Sequence, residues 1–482
     1  MTKLALAHGL TFDDLYQQDG MARIDGLFLD HLPDDLREQL VQARANPDGL
    51  EDKAQSDLLL DLAPHTNDFI GELFNIGKDV RTLAEKHHAL APLYDCKRLF
   101  VQRRAAKKIK ADDAITFDGA ALEADLTPLM AGAFDQLTFA KSVMAWMDDE
   151  AANAGPLDLA LRYAAWALYS EAGQHRHSDD ILFRVPKKTD NQHLVATTTM
   201  SGNGIDMLHF AAEAQHPRDG FGLTDKGCDL IGSLDQANYC VICHHRGKDT
   251  CAKGIRDKAS GDFARNDLGV SLTGCPLEEK ISEFHQAIKD GHAVAALAII
   301  AIDNPLAAGT GHRICNDCML SCIYQKQEPV DIPEAETRTL KNVLELPWGF
   351  EIYSLLTRWN PLNIARPLPL PETGYKVLVV GMGPAGFSLA HHLINEGHTI
   401  VAIDGAKIEP LDAALNGITQ GGERTPFIPI AQIDDIREAL DDRVMAGFGG
   451  VAEYGITVRW DKNFLKIIRL LLERRAQFTL YG

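Results

Sequence analysis

Apolar residues recur at helical spacing through most of the first 225 positions. Pro33 stands where a first helical turn accepts it, and Leu36, Leu40 and Val41 follow at helical spacing. Similar patterns predict helices around 66–90, 96–110, 135–152 and 157–172. Later, Leu277, Ile281, Phe284 and Ile288 recur at 4-3-4 spacing, with Pro276 in the first turn and Gly291 as a stop. The run AVAALAIIAI at 293–302 predicts a buried helix and is too short to span a bilayer. From Lys376 the pattern changes. KVLVV and TIVAI have the length and composition of buried strands, and they flank a helix running to about Glu396 that Gly397 caps.

These patterns predict a multidomain fold. A mainly α N-terminal domain spans 1–225 and a helical cysteine domain 226–345. A connector spans 346–373, and an α/β Rossmann-like half-domain spans 374–482. Four prolines between 361 and 371 predict that the connector is a semi-rigid spacer.

Composition narrows the partners more than the fold. With 482 residues and a net charge of −20, the chain repels nucleic acid phosphate and anionic membrane surfaces. The opening MTKLALAHGL lacks the regions of a secretory signal, which makes the cytoplasm the expected compartment. The basic run RRAAKKIK at 103–110 reads as a solvated helix face, and His175 and His177 as part of a polar surface loop.

The candidate chemistry lies in cysteines. Seven of the nine fall between 240 and 322: Cys240, Cys243 and Cys251, then Cys275, then Cys315, Cys318 and Cys322. Two Cys-x-x-Cys pairs, each followed by a third Cys, suit zinc or iron–sulfur clusters. Cys275-Pro276 resembles the two-cluster ferredoxin pattern, in which the Cys before Pro ligates the other cluster. The expectation is two 4Fe–4S clusters with interleaved ligands, with Cys275 at the N-terminus of a rigid helix. A zinc site remains the alternative, with His244 or His245 completing Cys240, Cys243 and Cys251. Cys96 and Cys228 read as ordinary buried thiols.

The second candidate site is Gly381-Met-Gly383-Pro384-Ala385-Gly386, between the first strand and its helix, with Asp404 ending the next strand. The first Gly makes the tight turn, the second admits a pyrophosphate, the third allows close helix–strand packing, and the acid can bind ribose hydroxyls. The fingerprint does not distinguish FAD from NAD(P).

The order of cysteine domain, connector and fingerprint resembles the small subunit of glutamate synthase and the N-terminal part of dihydropyrimidine dehydrogenase. The residues that carry the resemblance are GCPLEEKISEFHQAIKDGHAVAAL, DNP, GHRIC, PVDIPEAE and VAEYGITVRW. It implies FAD at the fingerprint, NAD(P)H as electron donor in the complete protein, two clusters, and a redox partner subunit or domain. It also implies two ligand sets: Cys240, Cys243, Cys251 and Glu336, and Cys275, Cys315, Cys318 and Cys322. His312 is the second candidate for the oxygen-ligand position. The spacing from Cys251 to Cys275 exceeds the family's, implying an insertion. The family continues beyond the position of Gly482, so the expectation is a fragment of a longer reading frame. No proton-transfer or nucleophilic residue stands out. The rival reading is a non-catalytic scaffold, stabilised by zinc or clusters, with a vestigial nucleotide fold.

Overall fold

The computed structural model describes residues 4–212, 215, 223, 227–243, 248–311, 315–405, 408–437 and 463–482. His244, His245, His312 and the VAEYGITVRW segment lie outside them.

The N-terminal region is built on α1 (Gln18–His31), α2 (Asp34–Ala45), α3 (Asp52–Leu73) and α4 (Gly77–Ala89). The break between α3 and α4 falls where Asn75 takes a φ of 55°. Asn tolerates that left-handed conformation better than most residues. The segment Ala91–Cys96 then runs into a π-helix, Lys97–Ala105. Helices α5 (Gln136–Asp148) and α6 (Ala154–Tyr169) follow. His177 is no surface-loop residue. It is buried, with one ring nitrogen 2.9 Å from the Tyr163 hydroxyl and the other 2.6 Å from Asp180.

Helix does not account for all of this region. Strands β1 (Thr197–Gly202) and β2 (Ile205–Phe210) form an antiparallel hairpin with Gly202 opposite Ile205. Its two-residue turn is Asn203-Gly204, both at positive φ, as a type I′ turn requires.

The cysteine region contributes α7 (Leu230–Tyr239), α8 (Ile281–Lys289), α9 (Ala293–Asp303) and α10 (Ile332–Leu344). Helix α9 is buried from Ala293 to Ala301 and packs on α8, α10 and the N-terminal α3. Two buried bonds tie α3 to this group: Val294 N–H of α9 donates to Asn67 Oδ1 at 3.2 Å, and Ser56 Oγ donates to Glu283 of α8. The N-terminal and cysteine regions therefore share one hydrophobic core.

Residues 346–364 are not a spacer. They include α11 (Gly349–Leu356), buried throughout, and then Trp359 and Leu362, both fully buried. Trp359 Nε1 donates to Asp25 on α1 at 2.9 Å, while Arg44 pairs with Asp25 at 2.8 Å and donates to the Pro361 carbonyl. Hydrophobic burial overrides the stiffness that the prolines alone suggest. Only the last proline-rich stretch lies near the surface.

The C-terminal unit is a parallel sheet in the order β3 (Lys376–Val380), β4 (Thr399–Ile403), β5 (Phe478–Tyr481). Lys376 stands opposite Thr399, and Ile400 opposite Phe478. Helix α12 (Pro384–Asn395) connects β3 to β4, and α13 (Phe464–Glu473) precedes β5. A fully buried ion pair, Arg474 to Glu351 at 2.9 Å, ties this unit to α11. Tyr16 from the N-terminus donates to the same carboxylate. Removing one member of such a pair leaves an uncompensated buried charge.

Candidate functional site

The cysteine loops converge from four parts of the chain. Cys240 follows the end of α7, and the one-turn helix Thr250–Lys253 carries Cys251. The Cys275 N–H donates to the Cys251 carbonyl at 2.8 Å, and the Gly274 N–H to Ser321 Oγ at 2.9 Å. These bonds bring the 251, 275 and 318–322 loops side by side. Gly274 has a φ of 80°, and a Cβ there would lie 2.4 Å from the Ala252 carbonyl oxygen, so only glycine permits the approach. Ile242 has a φ of 49°, unusual for a β-branched residue, at the bend between Cys240 and Cys243.

One narrow cavity, partly open to solvent, is lined by Cys240, Cys243, Cys251 and Cys322. Its remaining walls are largely aliphatic: Val241, Ile281, Ile323, Val330 and Ile332. Thr250 and Ser282 also line it, and neither buried hydroxyl has a hydrogen-bond partner among the described residues. Buried orphans of this kind need an explanation.

The second group gathers around Cys318. Cys275, Cys315, Glu279 and Glu336 lie near enough that their charges raise its thiol pKa, after burial itself. Glu336 is buried and accepts from Asn304 Nδ2 at 2.5 Å. Burial, then the facing Glu279, holds its carboxyl well above the usual range. Glu279 is pushed up to about 7, by burial and then by Asp303. Cys322 lines the cavity with Cys240, Cys243 and Cys251, whereas the resemblance implies it beside Cys315 and Cys318; Glu336 lies near Cys318, and Glu279 near Cys275, Cys315 and Cys318.

Cys275 also differs from expectation in its local setting. Helix α8 begins only at Ile281, because Glu278 turns left-handed at a φ of 51° and its N–H closes a turn on the Cys275 carbonyl. Cys275 thus sits on a loop, and Leu277 is exposed rather than part of the docked helix face.

All nine cysteines are free. Burial pushes Cys240 and Cys275 up to about 11, and raises Cys251 and Cys315 as well. Crowded thiols in such surroundings stay protonated until a metal displaces the protons. Among the described residues, no three His, Cys, Asp or Glu side chains converge tightly enough to hold a single metal ion. A 4Fe–4S cluster spreads its thiolates over separate irons. The soft donors, the aliphatic walls and the two unpartnered hydroxyls fit such a group. Cys96 is fully buried, as expected, and Cys228 is half-buried.

The nucleotide fingerprint has the backbone that its glycines predict. Gly381 has a φ of 95°, and a Cβ on Gly386 would lie 1.9 Å from the Gly381 carbonyl oxygen. A Cβ on Gly383 would meet nothing within 4 Å, leaving open space over the start of α12, whose first residues are Pro384 and Ala385. Asp404 accepts from the Met382 N–H at 2.7 Å, so part of the carboxylate braces the loop. That geometry fits a pyrophosphate above the Gly383 turn.

Comparison with known proteins bears on the N-terminal helices and on the cysteine region. Residues 6–75 match the family model described as RP005 N-terminal alpha-helical domain. The uncharacterized protein RP005 of Rickettsia prowazekii (strain Madrid E) is 32% identical over 298 residues, which are 58% of this chain and 97% of that protein. The chain belongs to the RP005 family. Residues 269–345 match the model described as dihydropyrimidine dehydrogenase domain II, 4Fe-4S cluster. The uncharacterized protein RP006 of the same organism is 53% identical over 176 residues, covering 36% of this chain and 23% of that protein. The glutamate synthase (NADPH) small chain of Mycobacterium tuberculosis (strain ATCC 25618 / H37Rv) is 28% identical over 141 residues, 29% of this chain and 26% of that one. This RP005-family chain thus spans about a quarter of the length of the last two relatives. The matches support an iron–sulfur, oxidoreductase-like chain. No described helix is long and apolar enough to cross a membrane.

Proposed function

We propose that this chain is an electron-transfer module of an NAD(P)H-dependent iron–sulfur flavoprotein oxidoreductase. The observation that carries the reading is the four-thiol cavity with its two unpartnered hydroxyls, beside a second group of three thiols and a buried carboxylate. Cys240, Cys243, Cys251 and Cys322 would hold one 4Fe–4S cluster. Cys275, Cys315, Cys318 and Glu336 would hold the other, with a harder oxygen donor in place of the missing eighth thiolate. Such clusters supply one-electron transfer when bound. This chain's part is to space the two centres and set their potentials by burial, ligand type and hydrogen bonding.

The Gly381–Gly386 loop would seat the pyrophosphate of FAD, with Asp404 near the ribose. Electrons from NAD(P)H would pass between the flavin and a partner domain or subunit in the cytoplasm. The domain division 1–225, 226–345, 346–373 and 374–482 serves this reading as a map of roles. The 240–336 stretch holds the metal sites and 374–482 the nucleotide site.

The test is anaerobic purification followed by iron, sulfide and flavin analysis and electron paramagnetic resonance. About eight irons and eight sulfides per chain are expected for two 4Fe–4S clusters. Zinc with no flavin would replace this reading with that of a structural scaffold.

A further inference from the structure

A large cleft of ≈ 2000 Å³, much of it open to solvent, lies between the N-terminal helices and the cysteine domain. Its charge runs against that of the chain. Among the described residues Lys97, Arg98, Arg103, Arg184 and Lys289 line it, against two carboxylates, Asp235 and Glu328. The whole chain carries a net −20. Among the described residues Lys97 pairs with Asp235 at 2.7 Å and Arg98 with Asp95 at 2.9 Å, while Arg103 and Lys289 make no ion pair. Concentrating cations in a concave wall focuses a positive potential there.

The wall is unusual in its backbone as well. Lys97, Arg98, Gln102 and Arg103 belong to the nine-residue π-helix. Because π-helical bonds run from i to i+5, residues 97 and 98 share a face with 102 and 103. Phe100, Val101 and Ala105 turn into the core. π-Helical segments are rare and recur at functional sites. Here the widened turn sets four polar side chains along one wall of the cleft.

The remaining lining points toward the first thiol group. Tyr239 and Tyr324 stack at 4.5 Å with planes 4° apart, and the Tyr324 hydroxyl donates to the Tyr239 carbonyl at 3.2 Å. Cys240, Val241 and Tyr324 line both this cleft and the thiol cavity. A molecule in the cleft would therefore lie beside the Cys240 thiol.

We propose that this cleft binds a small, multiply charged oxyanion, a phosphate- or carboxylate-bearing molecule held by Arg103 and Lys289 against the tyrosine pair. The assignment rests on the side chains of the cleft and holds whatever the thiols carry. Arginine and lysine bind oxyanions through charge-assisted hydrogen bonds, and the flat tyrosine pair offers an apolar surface to the rest of the molecule.

Isothermal titration calorimetry of the full chain at low salt tests it, with inorganic pyrophosphate and citrate as separate probes. A site that the Arg103 and Lys289 variants weaken is expected for at least one probe, apart from any pyrophosphate bound at the Gly381–Gly386 loop, pyrophosphate alone assigning phosphate and citrate alone assigning carboxylate. Arg103→Glu and Lys289→Glu should each weaken it by about tenfold or more, and Arg103→Lys should restore most of the loss. Binding should fall as salt rises. Should a charge reversal lower the thermal midpoint, Arg103→Gln and Lys289→Gln carry the same test. No binding of either probe, or equal binding to wild type and a folded double variant, overturns the proposal. So does binding of an acidic polyglutamate chain with neither small anion bound, which would make the cleft a protein-docking surface.

Discussion

The thiol groups and the nucleotide loop are both made of short motifs, yet the fold treats them in opposite ways. The loop from Gly381 to Gly386 is finished locally. One βαβ unit places all its parts, Asp404 after β4 included, and β3 stays open on one side, with Leu378 59% and Val380 72% exposed. The thiol groups are assembled at long range. Their members come from loops around 240, 251, 275 and 315–322, clamped between α7, α8 and α10, and α9 of the same core packs on N-terminal α3. A local motif keeps its geometry wherever it folds. A long-range one depends on which loops the core presses together, and here that puts Cys322 beside Cys240, Cys243 and Cys251 rather than in the set that the family resemblance implies.

The largest effect that can break this comparison is on iron content. Cys322→Ala should cost one cluster, about half the iron. The double variant with Cys240→Ala should lose no more, whereas the double with Cys275→Ala should lose nearly all, because residues acting as one unit are non-additive and independent units add. Iron analysis of wild type and these three variants decides it. Additive loss with Cys240→Ala would return Cys322 to the Cys315 and Cys318 group.

At the loop, Gly383→Val should abolish flavin binding while iron content and thermal midpoint stay near wild type, since only open space is filled. Gly386→Ala should instead destabilise the unit by on the order of 2 kcal/mol, since its Cβ would run into the Gly381 carbonyl. Flavin retained in the Gly383 variant would remove the nucleotide assignment.

A finer effect concerns Glu336. Glu336→Cys should alter the paramagnetic signature of the Cys275 group alone, and Glu336→Ala should leave a three-thiolate site that loses iron in air. Spectra identical to wild type in both would remove the carboxylate from the site.

Finer still are the hydroxyls. If Thr250 and Ser282 donate to cluster sulfide, they favour the more negative reduced state. Thr250→Val and Ser282→Ala should then lower the midpoint potential of one cluster by on the order of 40 mV each. That figure takes about 1 kcal/mol per hydrogen bond and about 59 mV per tenfold change for one electron. His285 is the control. Both its ring nitrogens are buried without a partner among the described residues, but it does not line the cavity. Burial lowers it to about 3, below its unfolded value, so it contributes stability above the unfolded pKa that is lost as pH falls through about 6.5 toward 3. His285→Leu should flatten that acid-side loss and raise stability by about 1 kcal/mol, with no change in either potential.

Much of this was legible in order of residues. Helical spacing located α2, α5 and α6, an unbroken apolar run located α9, and the glycine pattern located the β3–α12–β4 unit, because those signals are local and extend over a few residues. The Asn203-Gly204 turn is an equally local hairpin signal, set in a region whose other patterns specify helix. The cation-lined cleft had only a partial sign, the basic run at 103–110. Arg103 faces the cleft, but Arg104 pairs with Glu150 at 2.6 Å, and a π-helix rather than an α-helix decides between them.

The sequence by itself determined the donor types, the two Cys-x-x-Cys loops and the strand–turn–helix that presents Gly383. Tertiary structure alone decided that 346–364 is core rather than spacer, since burying Trp359 and Leu362 against α1 outweighs proline stiffness. It also decided the partition of the thiols. Spacing constrains only neighbours a few residues apart, while the bond from Gly274 to Ser321 and the packing of α10 choose which distant side chain completes each group.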